Sequence, residues 1–176
     1  HDLGDRVAGR GQVVDVAVVD SGDRVAARAN PEKVQRVLFN LIQNAIQAMP
    51  QGGRLTVRVA QTGETATVAV QDTGTGIAPE VLGRIFDPFF TTKPAGQGTG
   101  LGLSVSYGIV ARHGGQIGLG SEPLLHRLPG VRFGIKIDVN EGRAHDTADV
   151  VGGTVGEILG QEIRADLGGG VGAPSL

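Results

Sequence analysis

The stretch from Asn30 to Pro50 leaves the chain the least choice of conformation. Asn30-Pro31-Glu32 is a helix start. The amide side chain can cap the first turn, proline fits its first position, and glutamate suits the positive end of the helix dipole. From there Val34, Val37, Leu38, Leu41, Ala45 and Ala48 recur at helical spacing and make one apolar stripe. Pro50 and Gly52-Gly53 predict an end near Met49.

Strand patterns lie on both sides of that helix. Val14, Val16 and Val18 alternate in a manner that suits a short strand within residues 1–29. Residues 55–59 and 65–72 also alternate, with Gly63 in the connection, which predicts an antiparallel hairpin. The segment 73–102 is dense in Gly, Pro and Thr, with room for one or two helical turns over 79–86. A second helix is expected from about Leu101 to Arg112, stopped by Gly114-Gly115. Two more strands are expected over 116–120 and 131–139, joined through a loop over 123–130.

Composition narrows the function classes. With five Phe, one Tyr and no Trp, the core must be built from Val, Leu, Ile and Ala. Thirty glycines among 176 residues are far above the roughly 7% usual share and imply many loops and close backbone approaches. The absence of cysteine excludes disulfides, thiolate zinc sites and a cysteine nucleophile. Sixteen basic against 18 acidic side chains provide no positive field, so no nucleic-acid partner is expected. No apolar run approaches the ~18 residues of a membrane span, and a cytoplasmic location is expected whether or not a parent protein is membrane-anchored. The chain opens with His1 rather than Met and reads as a fragment of something longer. Residues 141–176 hold nine Gly, no aromatic residue and six acids against two bases. They are expected to form a loosely ordered tail after a domain spanning 1–140.

Four clusters have chemical potential. Asn40 and Asn44 lie one turn apart on one helix face, with Gln47 a turn further on. They could simply edge a solvated face, but a side-chain carbonyl is also a hard oxygen ligand for Mg²⁺. Asp72-Thr73-Gly74-Thr75-Gly76 ends a strand in which Val68 and Val70 point the same way as Asp72. That carboxylate either belongs to a turn or accepts from a ligand N–H, with glycines admitting a flat ring. Gly96-Gln97-Gly98-Thr99-Gly100-Leu101-Gly102-Leu103 places alternate glycines before a helix N-terminus. It is either a flexible loop or an anion cradle. Phe86-Asp87-Pro88-Phe89-Phe90-Thr91-Thr92-Lys93 concentrates three of the five Phe, as core packing or as a docking surface.

Taken in order, Asn-Leu-Ile-Gln-Asn-Ala at 40–45, Asp-Thr-Gly-Thr-Gly-Ile at 72–77, Phe-Asp-Pro-Phe-Phe-Thr-Thr-Lys at 86–93 and Gly-Thr-Gly-Leu-Gly-Leu at 98–103 resemble the N, G1, F and G2 boxes of sensor histidine kinases. The resemblance spans about residues 25–139, and its wording is closest to the nitrogen-regulation type. It implies an α+β fold: the two-layer α/β sandwich (Bergerat ATP-binding fold) shared with gyrase, heat-shock protein 90 and mismatch-repair ATPases, a mixed, mostly antiparallel sheet packed on one layer of helices.

The resemblance further implies ATP and Mg²⁺ as cofactors. Asn44 would hold the metal, Asp72 would accept from the adenine amino group, and Gly74 and Gly76 would pass beside the base. Gly98, Thr99, Gly100, Leu101 and Gly102 would shape the phosphate end of the lid, and Lys93 would be a lid cation. Asn40 stands where hydrolysing relatives generally have a glutamate, and an amide cannot act as a general base.

The implied reaction is transfer of the γ-phosphate to a histidine on a separate dimerisation and phosphoacceptor domain, with a response regulator downstream. No acceptor histidine is recognisable here: His113 would end a helix, His126 and His145 fall in a loop and the tail, and His1 lies too close to Asn44. An ATP-hydrolysing relative and a non-catalytic nucleotide-gated binding module are the competing readings. Two departures from the family pattern stand out. Gln47 replaces a basic residue or Asp, which removes one phosphate contact, and the approach to the last strand, 123–133, is longer than usual, which bears on the final hairpin.

Overall fold

A computed structural model of the chain describes residues 2–9, 12–20, 29–62, 65–94, 96, 98–119 and 132–138. Its six strands form one sheet. Strand β1 covers Asp2–Gly9, β2 Gln12–Asp20, β3 Gly53–Thr62, β4 Thr65–Gln71, β5 Gln116–Leu119 and β6 Arg132–Asp138. The strand order is β1-β2-β3-β4-β6-β5. Only β2 and β3 run parallel; every other neighbouring pair is antiparallel. A parallel pair needs a long crossover, and helix α1 (Pro31–Gln47) lies within that connection.

Helix α1 starts as its sequence dictates. Asn30 is the N-cap, its side chain accepts from the Lys33 amide at 3.0 Å, and Pro31 and Glu32 occupy the first turn. The face with Val34, Val37, Leu38, Leu41, Ile42, Ala45 and Ile46 is buried. Opposite it, β3 contributes Leu55, Val57 and Val59, and β4 contributes Ala66, Val68 and Val70. The pairs Val57↔Val70 and Val59↔Val68 put these side chains on one face of the sheet in register.

Helix α2 (Gly102–Arg112) lies beside α1 and buries Ser106 and Val110. Its end is a Schellman motif. The Gly115 amide donates to Val110 O at 3.0 Å and the Gly114 amide to Ala111 O at 3.1 Å, with Gly114 at φ +70°. Between the hairpin and α2, Pro79–Arg84 forms a short 3-10 helix. Strands and helices thus make the two-layer α+β arrangement.

Strand β1 has no counterpart in the sequence expectations, which placed a single short strand before the helix. Gly4, Gly9, Asp2 and Asp5 break any alternation there, and the strand exists by pairing antiparallel with β2. The final hairpin forms despite its altered approach, with Gln116↔Lys136 through Leu119↔Phe133 in register. The 123–130 loop and the 141–176 tail lie outside the described residues.

Candidate functional site

The exposed edge of α1 carries three amides in successive turns, and each has a partner on another element. The Asn40 side-chain NH2 donates to Gly102 O and to Ser106 Oγ, both at 3.2 Å. Ser106 is fully buried, and its hydroxyl donates in turn to Gly102 O at 2.8 Å. Asn40 therefore braces α1 against the first turn of α2. One turn on, Asn44 Oδ1 accepts from Lys93 Nζ at 3.1 Å, and Gln47 Oε1 accepts from the same ammonium. Burial pushes the Lys93 pKa below the ordinary lysine value of 10.5, because the charged form loses water.

At the C-terminal end of α1 the chain from β4 arrives. Asp72 is 3% exposed and continues the buried row Ala66, Val68, Val70. A carboxylate in such a row needs donors, and one is the Gly74 amide, 2.8 Å from Asp72 Oδ1. The loop is seated on the helix end: the Thr75 amide donates to Ala48 O at 3.1 Å. A Cβ on Gly74 would stand 2.4 Å from that same carbonyl oxygen, so only glycine allows this approach. Thr73 Oγ1 accepts from the Arg54 amide at 3.0 Å and fixes the other side of the loop to β3. Gly76 has φ +78° and open space around its missing side chain.

The segment leading into α2 is held by a second glycine contact. The Phe89 amide donates to Gly100 O at 2.9 Å, and a Cβ on Gly100 would lie 2.3 Å from the Phe89 carbonyl carbon. Phe89 itself has φ +66° and is 75% exposed, an uncommon backbone state for a bulky side chain. Gly98 packs on Thr91 and on the stem of Lys93. Thr99 Oγ1 lies 3.4 Å from the Leu101 amide, and among the described residues no side chain caps the first turn of α2. Its N-terminal amides therefore face an anion-friendly end of the helix dipole.

The three clustered phenylalanines divide their roles. Phe86 and Phe90 pack partly against the core, Phe86 lies 5.5 Å from the Tyr107 ring, and the Arg84 guanidinium sits 4.7 Å from the Phe90 centroid. Only Phe89 projects. His113 Nδ1 contacts Ile109 O at 2.7 Å, while Nε2 accepts from the Asn30 amide at 3.3 Å. With Nε2 accepting, the ring's Nδ1 is the nitrogen that donates to Ile109 O, and His113 thereby ties the end of α2 to the start of α1.

The four sequence clusters thus meet around α1: Asp72 to Gly76 at its end, Lys93 and Gly98 over Asn44, and Gly102 against Asn40. The sequence reading placed Gln47 one turn beyond Asn44 but took it only as a lost phosphate contact, and it singled out neither Ser106 nor the Ala48 carbonyl. Ser106 and Ala48 act through contacts that no spacing reveals.

Residues 29–141 match the family described as histidine kinase-, DNA gyrase B- and HSP90-like ATPase. The chain belongs to this family, and within it to the catalytic domains of sensor histidine kinases. It is 45% identical over 95 residues to the sensor histidine kinase ZraS of Escherichia coli K12, an alignment covering 54% of this chain and 20% of ZraS. The chain therefore spans about a fifth of the length of that relative. Among solved structures, the nucleotide-free catalytic domain of the histidine kinase ThkA aligns with a TM-score of 0.63 at 32% identity, covering 72% of this chain and 80% of that one. Full-length ShkA in complex with AMPPNP aligns with a TM-score of 0.60 at 25% identity, over 78% of this chain and 27% of ShkA. No helix among the described residues is long and apolar enough to cross a membrane.

Proposed function

We propose that this chain binds Mg-ATP and transfers the γ-phosphate to a histidine on a separate dimerisation and phosphoacceptor domain, for onward passage to a response regulator. The observation that carries the reading is the buried Asp72 carboxylate at the end of α1, beside backbone that only glycine permits. A carboxylate there accepts from an exocyclic amine, and the Gly74 to Gly76 backbone leaves a flat base its space. From that end, α1 leads by Asn44 to the uncapped start of α2, where the phosphates lie among Gly98, Thr99, Gly100, Leu101 and Gly102. ShkA, which aligns over this region, is a protein solved with AMPPNP, and that supports the nucleotide assignment.

The metal assignment has support from a stand-in cation. Asn44 Oδ1 and Gln47 Oε1 are hard oxygens, and both accept from the Lys93 ammonium, so this corner accommodates positive charge. Asn44 would hold Mg²⁺, which when bound offsets charge on the transferring phosphoryl group. Asn40 favours transfer over hydrolysis. Its NH2 is committed to Gly102 O and Ser106 Oγ, and an amide does not take a proton from water. The nucleophile is then an imidazole brought from outside: its nitrogen bonds to phosphorus as the bond to the β,γ-bridging oxygen breaks and ADP departs.

Calorimetric titration with ATP, with and without Mg²⁺, tests the reading while phosphate release is followed. Saturable binding with negligible release, then phosphorylation of an added acceptor domain, is expected. Steady turnover without acceptor would assign the chain to the hydrolysing branch, and no binding by folded protein would reject the site.

A further inference from the structure

Lys93 is tied to the candidate site more closely than a mobile lid residue needs to be. Its amide donates to Thr91 Oγ1 at 3.1 Å, and its Cβ and Cδ pack beside Gly98. The ammonium then bridges two amide oxygens three residues apart on α1, Asn44 Oδ1 and Gln47 Oε1. Two neutral oxygens converging on one cation from a helix face supply two of the about six oxygen ligands a hard divalent ion takes, leaving the rest to water and phosphate. An ammonium and a divalent ion within a few ångströms repel strongly where water is partly excluded, so both cannot use these oxygens at once.

We propose that Asn44 Oδ1 and Gln47 Oε1 form a single two-oxygen cation site for which the tethered Lys93 ammonium and a divalent metal compete. Gln47 is thereby a second metal-facing oxygen. Lys93 is a resident cation that the metal displaces, which frees its charge for an incoming phosphate. The inference rests on the reading that places a nucleotide's metal at Asn44.

The test uses Mn²⁺ as probe, without nucleotide, on the full chain, with free Mn²⁺ measured by electron paramagnetic resonance. Lys93→Met removes the competitor. If the lysine holds the site nine-tenths of the time, the variant binds Mn²⁺ about tenfold more tightly than the parent. Adding Gln47→Leu to Lys93→Met cancels that gain. Lys93→Gln, neutral and still polar, gives the same tightening, so a folding defect in one variant leaves the comparison intact. Equal Mn²⁺ affinity in the parent and both Lys93 variants overturns the competition. A gain that survives Gln47→Leu overturns the role of Gln47. Mg-ATP titration of the parent chain separates the two readings: failure there defeats the nucleotide assignment, whereas the Mn²⁺ comparison decides the cation site by itself.

Discussion

The Gly74 backbone lies so close to the end of α1 that a side-chain carbon on it would sit 2.4 Å from the Ala48 carbonyl oxygen. This contact, with the Thr75 amide bonded to the same oxygen, couples the position of the Asp72 loop to the helix that bears Asn44. Gly74→Ala is therefore expected to lose about 1–3 kcal/mol of stability, the usual cost of forcing an extra methyl into packed structure. Thermal denaturation measures it, and a variant melting with the parent would show that the loop can lift off without cost.

Asp72→Ala should weaken ATP and ADP alike, since the base and not the phosphates loses its acceptor. A hydrogen bond to a charged group contributes about 1.5–3 kcal/mol, which is roughly ten- to hundredfold in Kd. Calorimetry with both nucleotides reads it. Unchanged affinity would place the base elsewhere.

Asn44→Ala should abolish the Mg²⁺-dependent increment of ATP affinity and leave metal-free binding near the parent value. The comparison is between two titrations of one variant, so a general loss of stability does not imitate it. Persistence of the increment would move the metal away from α1.

Asn40→Ala is expected to act on stability first. It removes two hydrogen bonds to the start of α2, each contributing about 1 kcal/mol net. Denaturant titration gives the loss. If instead the variant is as stable as the parent while phosphoryl transfer collapses, Asn40 acts on the reacting groups and is not a brace.

Gly100→Ala combines a backbone at φ +65° with a side-chain carbon 2.3 Å from the Phe89 carbonyl carbon. The Phe89–Gly100 pairing should break, and amide exchange over residues 86–101 should quicken while α1 stays protected. Hydrogen exchange resolved by segment checks this; unaltered protection of Phe89 would show that the turn has another way to close.

Much of this was legible beforehand because it is local. The cap at Asn30, the stripe of α1, the β3–β4 alternation and the inward Asp72 all follow from spacing within one element. What escaped depends on partners far along the chain. Strand β1 has no period of its own and forms by pairing with β2. Lys93 meets Gln47 across 46 positions. The two glycine contacts are backbone against backbone, and the identity of their partners is written in no motif. Asn40 and Asn44 share one face of α1, and only the positions of α2 and Lys93 show that Asn40 braces the two helices while Asn44 meets the ammonium.

The two helices are fastened at both ends of their shared length. Asn40 is bonded to Gly102 at the start of α2, and the Asn30 amide to His113 at its close. The fastenings on α1 are ten residues apart, about 15 Å along the axis. Two anchors at that separation suppress sliding and swivelling that one would allow, so the pair behaves as a plank and not as a hinge. A tug on the chain just before Ala29 is then felt at Gly102, on the far side of the site, without any rearrangement between.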